Sequence, residues 1–253
     1  MTVSLRNILS AAAPGAKVVA YLTIGDPPRQ FVDVASEVIE AGALALELGF
    51  PHPEPREGEI LLASHRRALG AGVTTEIALR LLTAVAQRRP AFPIVAVVQA
   101  SALEADPALD RFLAQLAQAG AAAVLPVGLP LWKLPSFSTR LEQHGLQTVF
   151  PCAPNASAIY RRIALRHCTG GIYVPRAQLT GSSQEFANVA DFCRLISAES
   201  DTPIIVGVGV RSPEDVAEIC AAEGTAAAVG TALVDHVARG GSAGDFVRRL
   251  LSR

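Results

Sequence analysis

The stretch Ala43–Gly58, ALALELGFPHPEPREG, combines a buried strand with the loop that follows it. Its first half, Ala43–Phe50, is a short apolar run interrupted by one charged residue, Glu47. A run of this length and apolarity is typical of a strand that is buried on both faces of a parallel sheet. The second half contains three prolines and cannot extend the strand, so it predicts a loop at the strand's carboxyl end.

Glu47 is the candidate functional residue of this strand. A carboxylate inside a buried strand is costly unless it is hydrogen-bonded or has a function. In a closed βα barrel, the carboxyl ends of the strands carry the catalytic groups. We therefore interpret Glu47 as the centre of a site and the loop to Gly58 as its lid. The alternative is a structural glutamate whose charge is satisfied by a neighbouring group.

The rest of the chain alternates apolar runs with amphipathic segments, which predicts parallel strands joined by right-handed helical crossovers. Eight strands are predicted, at Val18–Gly25, Ala43–Phe50, Pro93–Gln99, Ala121–Val127, Gln147–Cys152, Gly170–Pro175, Pro203–Gly209 and Ala226–Gly230. We expect one α/β domain over residues 1–253, a single (β/α)8 TIM barrel. The competing fold is a doubly wound open sheet, but its glycine fingerprint is missing after the first strand, where the chain reads GDPP.

Composition argues against several classes of function. The formal net charge is −1, with 22 basic and 23 acidic residues, and the chain has no basic block, so nucleic acid and anionic membrane are unexpected partners. No apolar run approaches the roughly 20 residues of a membrane span, and the N-terminus lacks the apolar core of a signal peptide. The four cysteines are widely spaced, which favours core thiols over metal ligands or disulfides and predicts a cytoplasmic protein with no metal site.

Glycines at the ends of the last two predicted strands indicate an anion site. The strands end in VGVG at Val206–Gly209 and in AVGTAL at Ala228–Leu233. Phosphate sites of these barrels are built from the loops after strands seven and eight and a helix N-terminus, where backbone amides must approach the ligand closely. The expected phosphate-binding residues are Gly181, Gly209, Gly230 and Thr231. The alternative is that these glycines only form tight turns.

The order of motifs along the chain resembles the tryptophan synthase α subunit family. The motifs are YLTIGDP, ALELGFP with a Pro- and acid-rich loop, RRALGAGVT, PNAS, LTG, GVGVRSPEDV and VGTALV, and they cover nearly the whole chain. The resemblance implies a carbon–carbon lyase that cleaves indole-3-glycerol phosphate, or a close analogue, to indole and glyceraldehyde 3-phosphate in tryptophan biosynthesis. It also implies no cofactor, acid/base chemistry and a pyridoxal-phosphate β-type subunit as partner.

The family's residue roles transfer to matching positions only. Glu47 matches the glutamate that protonates the indole ring carbon, and an apolar setting suits that role because desolvation raises a carboxyl pKa. The family's second acid is an aspartate in the loop after strand two. Here that loop is one residue shorter, and alignment on Gly58 places Glu57 there. The substrate pocket is expected to include Tyr21, Val97, Gln99, Thr180 and Val208.

Several positions depart from the family pattern. Val127-Gly128-Leu129-Pro130 lacks the usual aspartate after strand four, Gln99-Ala100-Ser101 replaces a Tyr-x-Asn pattern, and Tyr173 aligns one residue out of register. These departures leave two alternatives open. One is a paralogous phosphate-binding aldolase or lyase that acts on a different substrate in secondary metabolism. The other is a catalytically silent subunit that activates a β-type partner.

Overall fold

The computed structural model of the protein describes residues 4–12, 15, 17–56, 58–103, 108–175, 183–207, 209–221 and 225–252, with the backbone alone for 183–188. Eight parallel strands close into a barrel in the order β1 to β8, each paired with its neighbours in sequence and β8 paired with β1. The strands are β1 Val18–Thr23, β2 Ala45–Gly49, β3 Ile94–Gln99, β4 Ala123–Val127, β5 Gln147–Pro151, β6 Gly171–Pro175, β7 Ile204–Gly207 and β8 Ala226–Val229. The predicted (β/α)8 barrel is confirmed.

Helices surround the barrel. They are α1 Leu5–Ala11, α2 Phe31–Glu40, α3 Glu59–Gly70, α4 Thr75–Arg88, α5 Ala108–Ala119, α6 Leu134–Gln143, α7 Ala158–His167, α8 Ser183–Glu199, α9 Pro213–Ala221, α10 Thr231–Ala238 and α11 Ala243–Leu251. Two short 3₁₀ segments, Ala100–Leu103 and Leu131–Lys133, follow β3 and β4. Hydroxyl side chains cap several helices at their N-termini; the Thr74 hydroxyl, for example, accepts a hydrogen bond from the Ile77 amide at 3.3 Å.

The apolar residues of the strands form two cores because successive side chains point to opposite faces. One core lies between the strands and the helices and includes Leu22, Leu46 and Leu48. The other fills the barrel interior with alternate residues such as Val19 and Val95. Strand β2 is buried along its whole length, so the apolar run that predicted it does lie in a sheet covered on both faces.

Two helices differ from the sequence expectation. Helix α1 was not predicted, because seven residues are too few for a clear helical stripe; Leu5 and Leu9 are fully buried in the interior core at the amino-terminal end of the barrel. Helix α3 begins at Glu59 with a first turn, Glu59–Leu62, that is exposed or half-buried, so the start of this helix follows no buried apolar stripe.

Within the described residues, no single helix has the length and apolarity needed to cross a membrane. Helices α3 and α4 meet those criteria only when taken together, and they are bent by 104° at their junction.

Candidate active site

Strand register places Glu47 in the barrel interior. Glu47 pairs with Tyr21 of β1 and Val95 of β3, and both of these neighbours belong to the interior core. Glu47 is 3% exposed, so its carboxyl group is enclosed by the barrel. Its Oε1 atom is buried without a hydrogen bond, although the residue has an interaction elsewhere. The glutamate that interrupts the apolar run of β2 therefore points into the barrel.

The opposite side of the barrel mouth is formed by main chain. Gly209 follows β7 with φ +55°, a left-handed conformation that favours glycine. Gly230 is the N-cap of α10, and Thr231 is the first residue of that helix. Glycine has no side chain to cap the helix, so the first amides of α10 are available for an anion, which the helix dipole also favours.

Glu47 lines the same cavity as the glycine-lined end of the barrel mouth, which is formed by Gly209 after β7 and Gly230 after β8. Its volume is about 520 Å³, and it opens at the carboxyl ends of the strands. Gly209 lines this cavity as well. So do four other residues that were predicted for the substrate pocket or the phosphate site, namely Tyr21, Val97, Gly230 and Thr231. The structure therefore brings together an acidic side chain and the two glycines predicted to bind phosphate in one cavity.

Other predicted site residues lie elsewhere or beyond the described ranges. Gln99 does not line this cavity; it lines a second cavity beside Phe50 and His52. The Gln99 Oε1 atom accepts a hydrogen bond from the Arg56 amide at 3.3 Å, which draws the side chain toward the loop after β2. Glu57, Thr180, Gly181 and Val208 lie outside the described residues, so their roles remain predictions.

Among the cavity residues that the sequence did not assign to the site, three have side chains that can form hydrogen bonds: Tyr173, Arg56 and Arg211. Tyr173 is an inward residue of β6, and the alternation from Gly171 was the signal that could have found it. Arg56 packs against Gly128. A Cβ added to Gly128 would lie 3.1 Å from both the Cδ and the Nε of Arg56. A glycine after β4 therefore makes room for a guanidinium group at the cavity mouth.

Each tyrosine of the cavity lies over a glycine of the next strand. A Cβ on Gly49 would be 2.0 Å from the Tyr21 hydroxyl oxygen, and a Cβ on Gly207 would be 1.9 Å from that of Tyr173. Real Cβ atoms do not approach so closely, so both positions need a residue without a side chain. The two glycines fix where the tyrosine hydroxyls lie.

Buried hydrogen bonds connect Tyr21 to helix α3 and to the loop after β2. The Tyr21 hydroxyl lies 3.1 Å from His65 Nε2 and 3.4 Å from Thr23 Oγ1. Thr23 Oγ1 lies 2.6 Å from the Ser64 hydroxyl. His65 Nδ1 accepts the His52 amide at 3.0 Å. The His52 ring lines the second cavity and contacts Ser101 and the Glu54 amide, so the structure places it outside the barrel cavity.

Ion pairing around the mouth is structural. Arg67 donates to both carboxylate oxygens of Asp26, at 2.8 and 2.7 Å, and this pairing raises the pKa of Arg67. Arg67 therefore has an ion-pairing role at the carboxyl end of β1. All four cysteines are free, and burial raises the pKa of Cys152 to about 11 and also raises that of Cys168. These thiols are protonated near neutral pH, as expected for core residues.

Comparison with known proteins identifies the family. The family model "Tryptophan synthase alpha chain" matches residues 10–249. The chain belongs to the tryptophan synthase alpha chain family. The resemblance seen in the sequence is confirmed, and the family is the one whose members cleave indole-3-glycerol phosphate to indole and glyceraldehyde 3-phosphate.

Curated relatives of this family match most of the chain. The tryptophan synthase alpha chain of Actinobacillus succinogenes is 35% identical over 222 residues, which are 85% of this chain and 82% of that protein. The alpha chain of Haemophilus influenzae is 34% identical over 238 residues, 91% of this chain and 87% of that protein.

Solved structures of the family share the fold. A mutant tryptophan synthase alpha subunit of Pyrococcus furiosus aligns with a TM-score of 0.84 at 26% identity, covering 95% of this chain and 99% of that one. A chain from a structure of the tryptophan synthase α2β2 complex of the same organism aligns with a TM-score of 0.84 at 25% identity. The alignment again covers 95% of this chain and 99% of that one.

Proposed function

We propose that this chain is a lyase that cleaves indole-3-glycerol phosphate to indole and glyceraldehyde 3-phosphate by acid/base chemistry without a cofactor. The observation that carries the proposal is that Glu47 and the glycine-lined end of the barrel line one cavity. A substrate with an aromatic ring at one end and a phosphate at the other matches that arrangement. Family membership supports the same reaction class.

Glu47 is the proposed principal acid/base. In the retro-aldol reaction, the bond between the indole ring carbon and the first glycerol carbon breaks. The hydroxyl on that glycerol carbon loses its proton and becomes a carbonyl, while the ring carbon gains a proton. A single carboxyl group enclosed beside the ring can exchange these protons, and positioned acids and bases typically accelerate such steps by about 10² to 10⁴-fold.

The phosphate end works through backbone groups. Gly209, Gly230 and the first amide of α10 at Thr231 are the proposed donors in the described part of the chain. Amide donors and a helix N-terminus can hold a dianion without a lysine or arginine. The Arg211 guanidinium also lines this cavity and adds a positive charge to the field that attracts a phosphate.

The remaining members of the site are proposals from the family resemblance. Glu57 is proposed as the second acid, which would engage the indole N–H as charge develops on the ring. Gly181 and Thr180 would complete the phosphate end, and Val208 would line the pocket. We also propose that the chain acts in the cytoplasm as a single barrel domain.

A β-type subunit is the proposed protein partner. Solved structures similar to this chain include a chain of a tryptophan synthase α2β2 complex. Two large apolar side chains are exposed beyond the carboxyl ends of strands β4 and β5: Trp132 is 77% exposed and Ile159 is 66% exposed. Exposed apolar groups of this size are typical of a contact surface. Co-purification of this chain with a β-type subunit, weakened by Trp132→Ala, tests the proposal.

One observation favours a second candidate, a paralogous lyase with a different phosphorylated substrate. Arg56 packs on Gly128 at the cavity mouth, where the family pattern has an aspartate. This change of charge would suit a substrate with an additional anionic group. Product analysis with indole-3-glycerol phosphate separates the two candidates, because the paralogue would bind glycerol phosphate but would release no indole.

The deciding experiment is indole release by the purified chain, alone and with a β-type subunit. We expect indole and glyceraldehyde 3-phosphate in equal amounts from the unmodified chain. If a β-type subunit binds but no indole forms under either condition, the chain is a silent activating subunit and the proposed reaction is wrong.

A further inference from the structure

The loop after β2 places Arg56 at the mouth of the barrel cavity. The Arg56 amide donates to the Gln99 side chain at 3.3 Å, which fixes this point of the loop at the end of β3. From there the side chain reaches Gly128, which follows β4: a Cβ added to Gly128 would lie 3.1 to 3.2 Å from its Cδ, Nε and Cζ. Both residues line the cavity, and Arg56 is exposed. Arg56 therefore presents its guanidinium on the β4 side of the mouth.

Glycine at position 128 leaves room for this side chain and adds no charge beside it. Gly128 has φ +79°, a left-handed conformation that favours glycine, and any side chain there would press on Arg56. An aspartate, as in the family pattern, would also put a negative charge against the guanidinium. Within the part of the chain that the structure describes, no carboxylate forms an ion pair with Arg56, and Glu47 is the one acidic residue that lines the cavity.

The order of the strands places Arg56 across the mouth from the proposed phosphate end. Strands β4 and β8 are four places apart in a ring of eight, so their carboxyl ends face each other across the barrel. Gly230 follows β8, and Arg56 lies over the end of β4. Apolar side chains of β3 and β4 line the cavity on the Arg56 side, namely Val97, Leu125 and Val127. A ligand that spans the cavity from Gly230 to Arg56 is matched by an anionic group at each end and an apolar middle.

We propose that Arg56 is a specificity-determining residue that binds a carboxylate on the aromatic end of the substrate. A guanidinium can donate two parallel N–H groups to a carboxylate, which gives both affinity and orientation. This inference rests on the proposed function for the phosphate and for the bond that is cleaved, and it names the additional anionic group of the second candidate. The substrate class is a glycerol phosphate adduct of an indole-type ring that carries a carboxylate on the edge far from the glycerol chain.

The test compares indole-6-carboxylate with indole-6-carboxamide, which has nearly the same shape but no charge. Dissociation constants for both are measured on the full-length chain by ligand-observed NMR or calorimetry, with saturating glycerol phosphate to occupy the phosphate end. We expect the unmodified chain to prefer the carboxylate by about tenfold, as for a hydrogen bond to a charged group. The preference should decrease as salt is added. The same pair substituted at ring position 5 covers the neighbouring point on that edge.

Variants at two positions should remove the preference by different routes. Arg56→Gln should abolish it by weakening carboxylate binding, while carboxamide binding stays unchanged. Arg56→Lys keeps the charge but loses the two parallel donors, so it should retain part of the preference. Gly128→Asp leaves Arg56 in place but puts a carboxylate against its guanidinium, and it should also abolish the preference. Thermal unfolding identifies a variant that does not fold; Arg56 is an exposed loop residue, so Arg56→Gln should unfold as the unmodified chain does.

Arg211→Gln is the matched variant, because it removes the same charge from the same cavity at the phosphate end, two residues after Gly209. It should weaken glycerol phosphate binding and keep the preference for the carboxylate. The inference is overturned if the unmodified chain binds carboxylate and carboxamide equally at both ring positions, or if Arg211→Gln removes the preference as fully as Arg56→Gln does.

These binding measurements do not require turnover, so they separate this inference from the proposed function. A chain that prefers the carboxylate through Arg56 but releases no indole from indole-3-glycerol phosphate would contradict the first candidate function and leave this inference standing. A chain that releases indole but shows no preference for the carboxylate would overturn this inference alone.

Discussion

The two sides of the cavity are built from different parts of the chain. On the β1–β2 side, the proposed functional group is the side chain of Glu47. On the β7–β8 side, the proposed groups are backbone amides at Gly209, Gly230 and the start of α10. Acid/base chemistry needs groups that gain and lose protons, whereas a dianion needs only fixed donors. Substitutions should therefore affect the two sides in different ways.

The largest expected effect is on the side-chain half. Glu47→Gln preserves size but removes the acid/base group, so we expect indole formation to fall by about 10² to 10⁴-fold. Affinity for glycerol phosphate should not change, since the anion end is made of other residues. Steady-state indole release and calorimetric titration with glycerol phosphate measure the two quantities. A variant that loses both equally would contradict the division between the two sides.

The second effect is on the glycine-lined side of the cavity and concerns substrate binding instead of the rate of the chemical step. Gly230→Asp places a negative charge at the N-terminus of α10, next to the proposed phosphate, and should raise KM by about tenfold through charge repulsion. Gly70→Asp is the matched control, because Gly70 lies at the exposed end of α3 with open space around its Cα. The control should leave KM unchanged. An unchanged KM in Gly230→Asp would place the phosphate elsewhere.

A smaller effect is expected at the glycines that the two tyrosines cover. Gly49→Ala would push against the Tyr21 hydroxyl and Gly207→Ala against that of Tyr173. Each should cost about 1–3 kcal/mol of unfolding free energy through overpacking. Denaturant unfolding of both variants measures the cost, and an unchanged unfolding free energy in either variant would contradict the close approach of hydroxyl and glycine.

The smallest effect is expected away from both sides of the cavity. Arg161 on α7 makes two hydrogen bonds, at 2.8 and 2.7 Å, to the carboxylate of Glu199 on α8. This pairing lowers the pKa of Glu199 below its ordinary value of 4.5. Because the folded-state pKa is lowered, the pair stabilises the protein above the unfolded-state pKa, and the contribution is lost as pH falls through the folded-state pKa.

Glu199→Gln should therefore lower the unfolding free energy at pH 7 by no more than about 1 kcal/mol, as is typical of a partly exposed pair. The difference from the unmodified chain should shrink as the pH falls below about 4.5. Thermal unfolding over this pH range measures the difference, and indole formation should be unchanged at pH 7. A difference that grows at low pH would contradict the direction of the pKa shift.

Sequence reasoning found the parts of the site that follow from local pattern. An apolar run interrupted by one glutamate was sufficient to place Glu47 inside a barrel, and glycines at two successive strand ends located Gly209 and Gly230. Tyr173 was missed because the family alignment left it out of register, whereas only the alternation along β6 shows that it faces inward. The contact between Tyr21 and His65 joins β1 to α3, 44 residues apart. One sequence without known geometry cannot reveal such a pairing.

Gln99 shows a different limit. The alternation along β3 puts Val97 and Gln99 on the same face of the strand, and the sequence predicted both for the substrate pocket. At the strand's end, however, the Gln99 side chain accepts a hydrogen bond from the Arg56 amide, and Gln99 lines the second cavity. Polar side chains at strand ends are directed by loop backbone groups that need hydrogen bonds, and the course of a loop is not encoded in strand periodicity.

The most direct measurement is a crystal structure of Glu47→Gln soaked with indole-3-glycerol phosphate, since we expect this variant to bind the substrate and to turn it over much more slowly. We predict density for the indole ring against the carboxamide of residue 47 and for the phosphate against the amides of Gly209, Gly230 and Thr231. Phosphate density away from those amides, or a ring that does not reach residue 47, would contradict the account.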